Sequence, residues 1–213
     1  MHRRMLNDLK NIVLRAVKAF YEQDSTLVED DLCERALTFR IGLQLAKVIE
    51  EHHDVYGDVQ SEFNKAYSMF MEVTEKSINL PRGYIKDKNY PDLLLFSHDV
   101  GNKIIIEIKK LNKLTRNRDL KEDIIKLYAF THPYVNDYCY PLGVHLILET
   151  NAFLAIWFVK GRVQSAIILS YNSESSKWMK KKTSITNSNV SRGYSIQIPE
   201  YSITSIKNSF KQL

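Results

Sequence analysis

The chain predicts an α/β fold, and three observations carry that expectation. Apolar residues recur at helical spacing through the N-terminal part, two β-branched or leucine-rich runs in the middle are separated by a glycine turn, and a helical stretch then precedes two further apolar runs of strand length. With 213 residues and 44% hydrophobic content, one globular domain is the default expectation.

The elements follow in order. From about Arg4 to Tyr21, Leu6, Leu9, Val13, Val17 and Phe20 fall on one face, so an amphipathic N-terminal helix, within about 1–25, packs on the core or on a partner. A longer helical pattern runs from about Val28 to His52, with Leu37, Ile41, Leu45 and Val48 in one stripe. One turn back along that stripe stands Glu34, an inward-facing carboxylate. An isolated buried charge is costly, which points to a pairing partner or a bound cation; the competing reading is a helix N-terminal carboxylate favoured by the macrodipole. Asp54–Phe63 reads as a short strand, and the residues from there to Leu80 as polar and helical-looking. Pro81–Gly83 turns the chain into a strand at Tyr90–Ser97, Asp99–Asn102 supplies the turn with Gly101, and Lys103–Lys109 is a buried central strand rich in isoleucine. A helix over Asp119–Phe130 and strands at Leu142–Leu148 and Phe153–Lys160 complete the core. From Gly161 onward, Ser and Asn enrichment predicts an extension (161–213) with a few short strands and a last helix near Ser202–Phe210.

Charge and composition narrow the function classes. Thirty Lys+Arg against 25 Asp+Glu leave a net charge of +5, which permits a polyanionic partner without demanding one. No apolar run approaches the roughly 20 residues of a membrane helix. Asn7, Asp8, Lys10 and Asn11 break what would have to be a leader's apolar stretch, so a cytoplasmic protein is expected. Cys33 and Cys139 lack disulfide or zinc spacing and read as small buried residues.

The chemistry concentrates in Pro91-Asp92 and Glu107-Ile108-Lys109. Alternation along a strand puts Glu107 and Lys109 on one face and Ile106 and Ile108 on the other. If the two strands pair through the Gly101 turn, Asp92 comes to lie beside Glu107. Two carboxylates in one pocket repel unless something positive separates them, and a divalent ion with oxygen ligands is the usual solution. Such an ion suits phosphodiester hydrolysis, with Lys109 orienting the attacking water or stabilising the transition state. Beyond the strand, Lys110, Lys113, Arg116 and Arg118 could hold a phosphate backbone or form a solvated loop. Trp178 among Lys177, Lys180, Lys181 and Lys182 could stack on a base. Asp123 and Lys126 read as a solvated or paired helix face, and His52, His53 and His132 are given no role.

The string Pro91-Asp92…Glu107-Ile108-Lys109 resembles the PD-(D/E)xK nuclease superfamily, the restriction-endonuclease-like enzymes of restriction, repair and transposition. The resemblance covers about Val28–Lys160 and includes the helix bearing Asp123-Ile124-Ile125-Lys126-Leu127 after the catalytic strand. It implies a mixed central sheet flanked by helices, and a nuclease cleaving nucleic acid, DNA by preference, in a defence or mobile-element context. It further implies Mg²⁺ or Mn²⁺ held by Asp92, Glu107 and Glu34, with Asp92, Glu107 and Lys109 catalytic. Glu62, within Glu62-Phe63-Asn64-Lys65, is similar to a further site carboxylate of some members. A homodimer or a larger defence complex is compatible with the resemblance. A second reading is a non-catalytic nucleic-acid-binding or assembly subunit of the same fold, and a third an interaction module in which Asp92, Glu107 and Lys109 form a buried ion-pair cluster.

Overall fold

The N-terminal periodicity is realised as helix α1 (Arg3–Asp24), whose Leu9, Val13, Val17 and Phe20 are all buried. The computed structural model describes residues 3–30, 33–51, 67–70, 91–97, 101–112, 115–134, 139–181 and 183. The second helical pattern is divided: a single turn, α2 (Thr26–Glu29), is followed by α3 (Glu34–Glu51), which starts at Glu34 itself and buries Leu37, Ile41, Leu45 and Val48. The predicted stripe is therefore the face α3 turns to the core.

The strands are β1 (Tyr67–Phe70), β2 (Leu93–Ser97), β3 (Gly101–Lys110), β4 (Leu142–Glu149), β5 (Ala152–Val159), β6 (Arg162–Asn172) and β7 (Lys177–Lys181), with helix α4 (Asn117–Thr131) between β3 and β4. Among the described residues they form one mixed sheet in sequence order. β3 and β4 are parallel, joined by the α4 crossover, while the other adjacent pairs are antiparallel. A parallel pair needs a long connection, and α4 provides it while covering one face of the sheet.

Two apolar layers follow from strand alternation. Leu93, Leu95, Ile104, Ile106, Ile108, Val144 and Leu146 face α1 and α3. Leu94, Ile105 and Ile147 face Leu120, Ile124 and Leu127 of α4. Tyr21 ties α1 to the sheet, since its hydroxyl lies 2.7 Å from the carbonyl oxygens of both Glu149 and Ala152, at the β4–β5 turn. The β5–β6 hairpin turns on Lys160 and Gly161, both at positive φ (52° and 70°), the left-handed pair a tight two-residue turn requires.

Three sequence expectations need correction. Tyr67–Phe70 lies in a stretch read as polar and helical-looking but forms β1, pairing with β2. β6, expected as one of a few short strands of an extension, is 11 residues long, and with β7 it continues the central sheet. Both cysteines are exposed: Cys33 just precedes α3, and Cys139 adopts a left-handed φ of 41° before β4. The expected strand at Asp54–Phe63, Glu62 and the expected helix near Ser202–Phe210 lie outside the described residues. No helix among the described residues is long and apolar enough to cross a membrane.

Candidate active site

The register of β2 and β3 pairs Leu93 with Ile106, so one step further along the two antiparallel strands sets Asp92 against Glu107. Alternation places both on the α4 face, with Leu94 and Ile105. The backbone N–H of Ile108 donates to Asp92 Oδ2 at 2.6 Å, locking the Asp92 carboxyl across the strand pair. Glu107 is only 1% exposed and Lys109 shares its face, at the carboxyl end of β3.

Glu34 reaches this end of β3 from the head of α3. Its Oε2 accepts from Lys109 Nζ at 3.0 Å and its Oε1 from the Lys110 backbone N–H at 3.3 Å. Glu34 thus enters the cluster through Lys109, with both oxygens engaged.

Helix α4 contributes more than the sequence suggested. Asp123 is 5% exposed, and Lys126 points inward to Glu107, its Nζ 2.8 Å from Glu107 Oε2 and 3.4 Å from Asp123 Oδ1. Asp123 Oδ2 lies 3.6 Å from Lys109 Nζ and 3.5 Å from Nε2 of His145, a fully buried residue of β4 that pairs in register with Glu107. Of the two readings of this helix face, solvated or paired, the structure shows the paired one, with the pair buried against the sheet. The missed signal was periodicity: Leu120, Ile124 and Leu127 bracket Asp123 on one stripe. His145 was hidden by the apolar strand around it, and a lone histidine in such a strand carries no spacing signal.

The electrostatics are those of charges crowded out of water. Burial raises the pKa of Asp92 to about 6, against the pull of the Ile108 N–H and of Lys126. Burial also raises Glu107 well above the usual carboxylate range, with Lys126 opposing and Asp92 and Asp123 adding to the rise. For Asp123 burial acts upward too, but contact with His145 and the charges of Lys126 and Lys109 outweigh it and keep the carboxyl low. Burial likewise disfavours the Lys109 ammonium, yet Asp123 and Glu34 hold its pKa above the ordinary value.

Carboxylate oxygens and an imidazole nitrogen are a suitable donor set for Mg²⁺ or Mn²⁺. The fit is favoured by Glu107 Oε1, a buried oxygen that accepts no hydrogen bond. Among the described residues no group of three or more His, Cys, Asp or Glu side chains stands together so as to hold a metal ion, and lysine ammoniums lie against the carboxylates.

The expected phosphate contacts are placed less favourably. Lys110 alternates to the side opposite Lys109 and is 6% exposed. Arg116 and Arg118 are exposed at the start of α4 but pair with Asp119 and Glu122. Lys113 lies outside the described residues. Trp178 does not stand free to stack on a base: it packs against Tyr21, Phe153 and Tyr171, and its Nε1 donates to Glu22 at 2.7 Å. No family model matches the chain, and neither a curated protein nor a solved structure matches it.

Proposed function

We propose that the chain is a metal-dependent nuclease of the PD-(D/E)xK kind with a restriction-endonuclease-like core, hydrolysing phosphodiester bonds, DNA by preference, in a defence or mobile-element setting. The carrying observation is the meeting of Asp92 and Glu107 across β2 and β3, with Lys109 on the same face and Glu107 Oε1 buried without a hydrogen-bond donor. A mixed sheet between helical layers, with a helix directly after the Glu107 strand, agrees with that reading.

Bound Mg²⁺ or Mn²⁺ would polarise a phosphoryl oxygen and acidify a water. Asp92 and Glu107 would hold the ion. Glu34, whose oxygens engage Lys109 and the Lys110 N–H, acts here by positioning Lys109. Lys109 stays protonated at neutral pH through Asp123 and Glu34, and so presents a fixed positive charge to the phosphate as negative charge develops.

The test is cleavage of single- and double-stranded DNA and RNA with Mg²⁺, Mn²⁺ or EDTA. Asp92→Ala is expected to weaken metal binding and abolish cleavage while nucleic-acid binding persists or strengthens, since a negative charge facing phosphate is gone. Lys109→Ala is expected to lower turnover on the order of 10²–10³ with little change in metal affinity. Parent-level cleavage by Asp92→Ala protein would rule the assignment out. A second reading, a non-catalytic nucleic-acid-binding or assembly subunit, is favoured by one feature: Lys126 already neutralises part of Glu107 and Asp123. An inert parent under every metal tested would select it.

A further inference from the structure

Four carboxylates converge at the carboxyl end of β3: Asp92, Glu107, Asp123 and Glu34. Two ammoniums, Lys109 and Lys126, stand among them. The carboxylates of the cluster outnumber its ammoniums. The shortfall is also visible in the hydrogen bonding. Lys126 engages Glu107 Oε2 and Asp123 Oδ1; Glu107 Oε1 is buried and accepts no hydrogen bond, while the buried Asp123 Oδ2 lies 3.6 Å from Lys109 Nζ and 3.5 Å from His145 Nε2.

The two lysines are placed differently. Lys109 rises from β3 and is held from the far end by Glu34. Lys126 comes from α4 and inserts its Nζ between the two carboxylates least exposed to water. Its side chain retains 19% exposure, so the four-carbon stem has a path along the helix surface toward solvent.

We propose that the Lys126 ammonium is a resident cation standing between Glu107 and Asp123, which a divalent metal ion must displace, so that Lys126 sets the protein's metal affinity. This rests on the nuclease reading for the identity of the site but concerns a residue outside its catalytic set. Lys126 keeps the cluster from collapsing by repulsion when no metal is present. Entry of the ion releases Lys126 toward solvent and frees Glu107 Oε2 and Asp123 Oδ1. Metal binding is then an exchange of one cation for another, weaker than the number of carboxylates suggests.

The experiment is Mn²⁺ binding by calorimetry and thermal unfolding with and without Mn²⁺, on the parent, Lys126→Met, Lys126→Gln and Lys126→Arg. Removing a competing charge a few ångströms from the ion should tighten Mn²⁺ binding by about tenfold or more in the Met and Gln variants. The Arg variant, which keeps the charge, should bind like the parent. Without metal, the Met and Gln variants should unfold at lower temperature, and Mn²⁺ should raise their midpoint by more than it raises the parent's. The Gln side chain retains an N–H for Glu107, so it gives a folded protein to measure if Met does not. Folded Met or Gln protein binding Mn²⁺ no tighter than a parent that binds and cleaves would overturn the inference and leave the nuclease reading standing. Absence of Mn²⁺ binding in the parent and all variants would overturn both.

Discussion

Single residues at this site are governed by the cost of burying charge. Asp92 offers the most direct measure, because burial lifts its pKa from 3.8 to about 6. The folded protein therefore holds this proton more tightly than the unfolded chain. Stability from this group is full below the unfolded value and falls as pH rises through the window from about 4 to 6. Above that window the ionised carboxyl costs about 3 kcal/mol, from two units at roughly 1.4 kcal/mol each. Asp92→Asn removes the titration and keeps an oxygen to accept from the Ile108 N–H. In metal-free buffer it should exceed the parent in urea stability by about 2–3 kcal/mol at pH 7.5, with the two proteins converging near pH 4. A difference independent of pH would show that the Asp92 carboxyl is not under this strain. Such residues were unequally legible in the sequence. Asp92, Glu107 and Lys109 declared themselves because polar groups on strongly apolar strands violate the local pattern. Asp123 and Lys126 did not, because charges on a helix are ordinary until the buried face is known.

At the level of elements, the geometry of the site depends on how closely α4 lies on β4. Gly143 makes that approach possible: a Cβ there would stand 2.8 Å from Thr131 Cγ2, 3.1 Å from Phe158 Cβ and 3.3 Å from Leu127 Cδ2. Two of these atoms belong to α4, the helix that delivers Asp123 and Lys126. Gly143→Ala should therefore cost about 1–3 kcal/mol through overpacking. It should also lift α4 and loosen the Lys126–Glu107 pair, read as lower urea stability together with faster amide exchange in α4. Unchanged stability would mean that the helix shifts freely and that its spacing does not set the site. Period-3.6 patterns made α1, α3 and α4 readable from the chain, and continuous apolar runs of strand length did the same for β2–β5. The start of α3 at Glu34 was marked only indirectly, by a carboxylate on an apolar stripe. β1 is a four-residue edge strand too short to show a period. β6 combines buried Val163, Ile168 and Leu169 with exposed Arg162 and Gln164, a mixture that reads as a loop until its pairing with β5 is seen.

For the whole molecule, the span read from the sequence as the core, about 28–160, is smaller than the unit that buries the apolar residues. Leu9, Val13, Val17 and Phe20 of α1 belong to the same cluster as Leu37 and Ile41 of α3 and Ile106 and Val144 of the sheet. Lys10 adds a bond from α1 to Gln164 of β6 and lies 5.3 Å from the Trp157 ring centroid. Trp178 of β7 closes the other end by donating to Glu22 of α1. Removing α1 forfeits roughly 1.5–3 kcal/mol for each of its four large apolar side chains, together roughly 6–12 kcal/mol. That is comparable to the entire stability of a typical domain, about 5–15 kcal/mol. Removing β6 and β7 as well exposes the edge of β5, whose residues from Ala152 to Phe158 are all buried, and an apolar unpaired edge invites aggregation. A fragment of residues 28–160 should therefore give no cooperative unfolding transition and should aggregate, although it carries every residue of the candidate site. Phe20→Ala in the full chain should cost about 3–5 kcal/mol while leaving those residues in place. Circular dichroism with urea titration on the three proteins makes the comparison. A fragment that unfolds cooperatively near the parent's midpoint would show that residues 28–160 stand alone and that α1, β6 and β7 are additions to them.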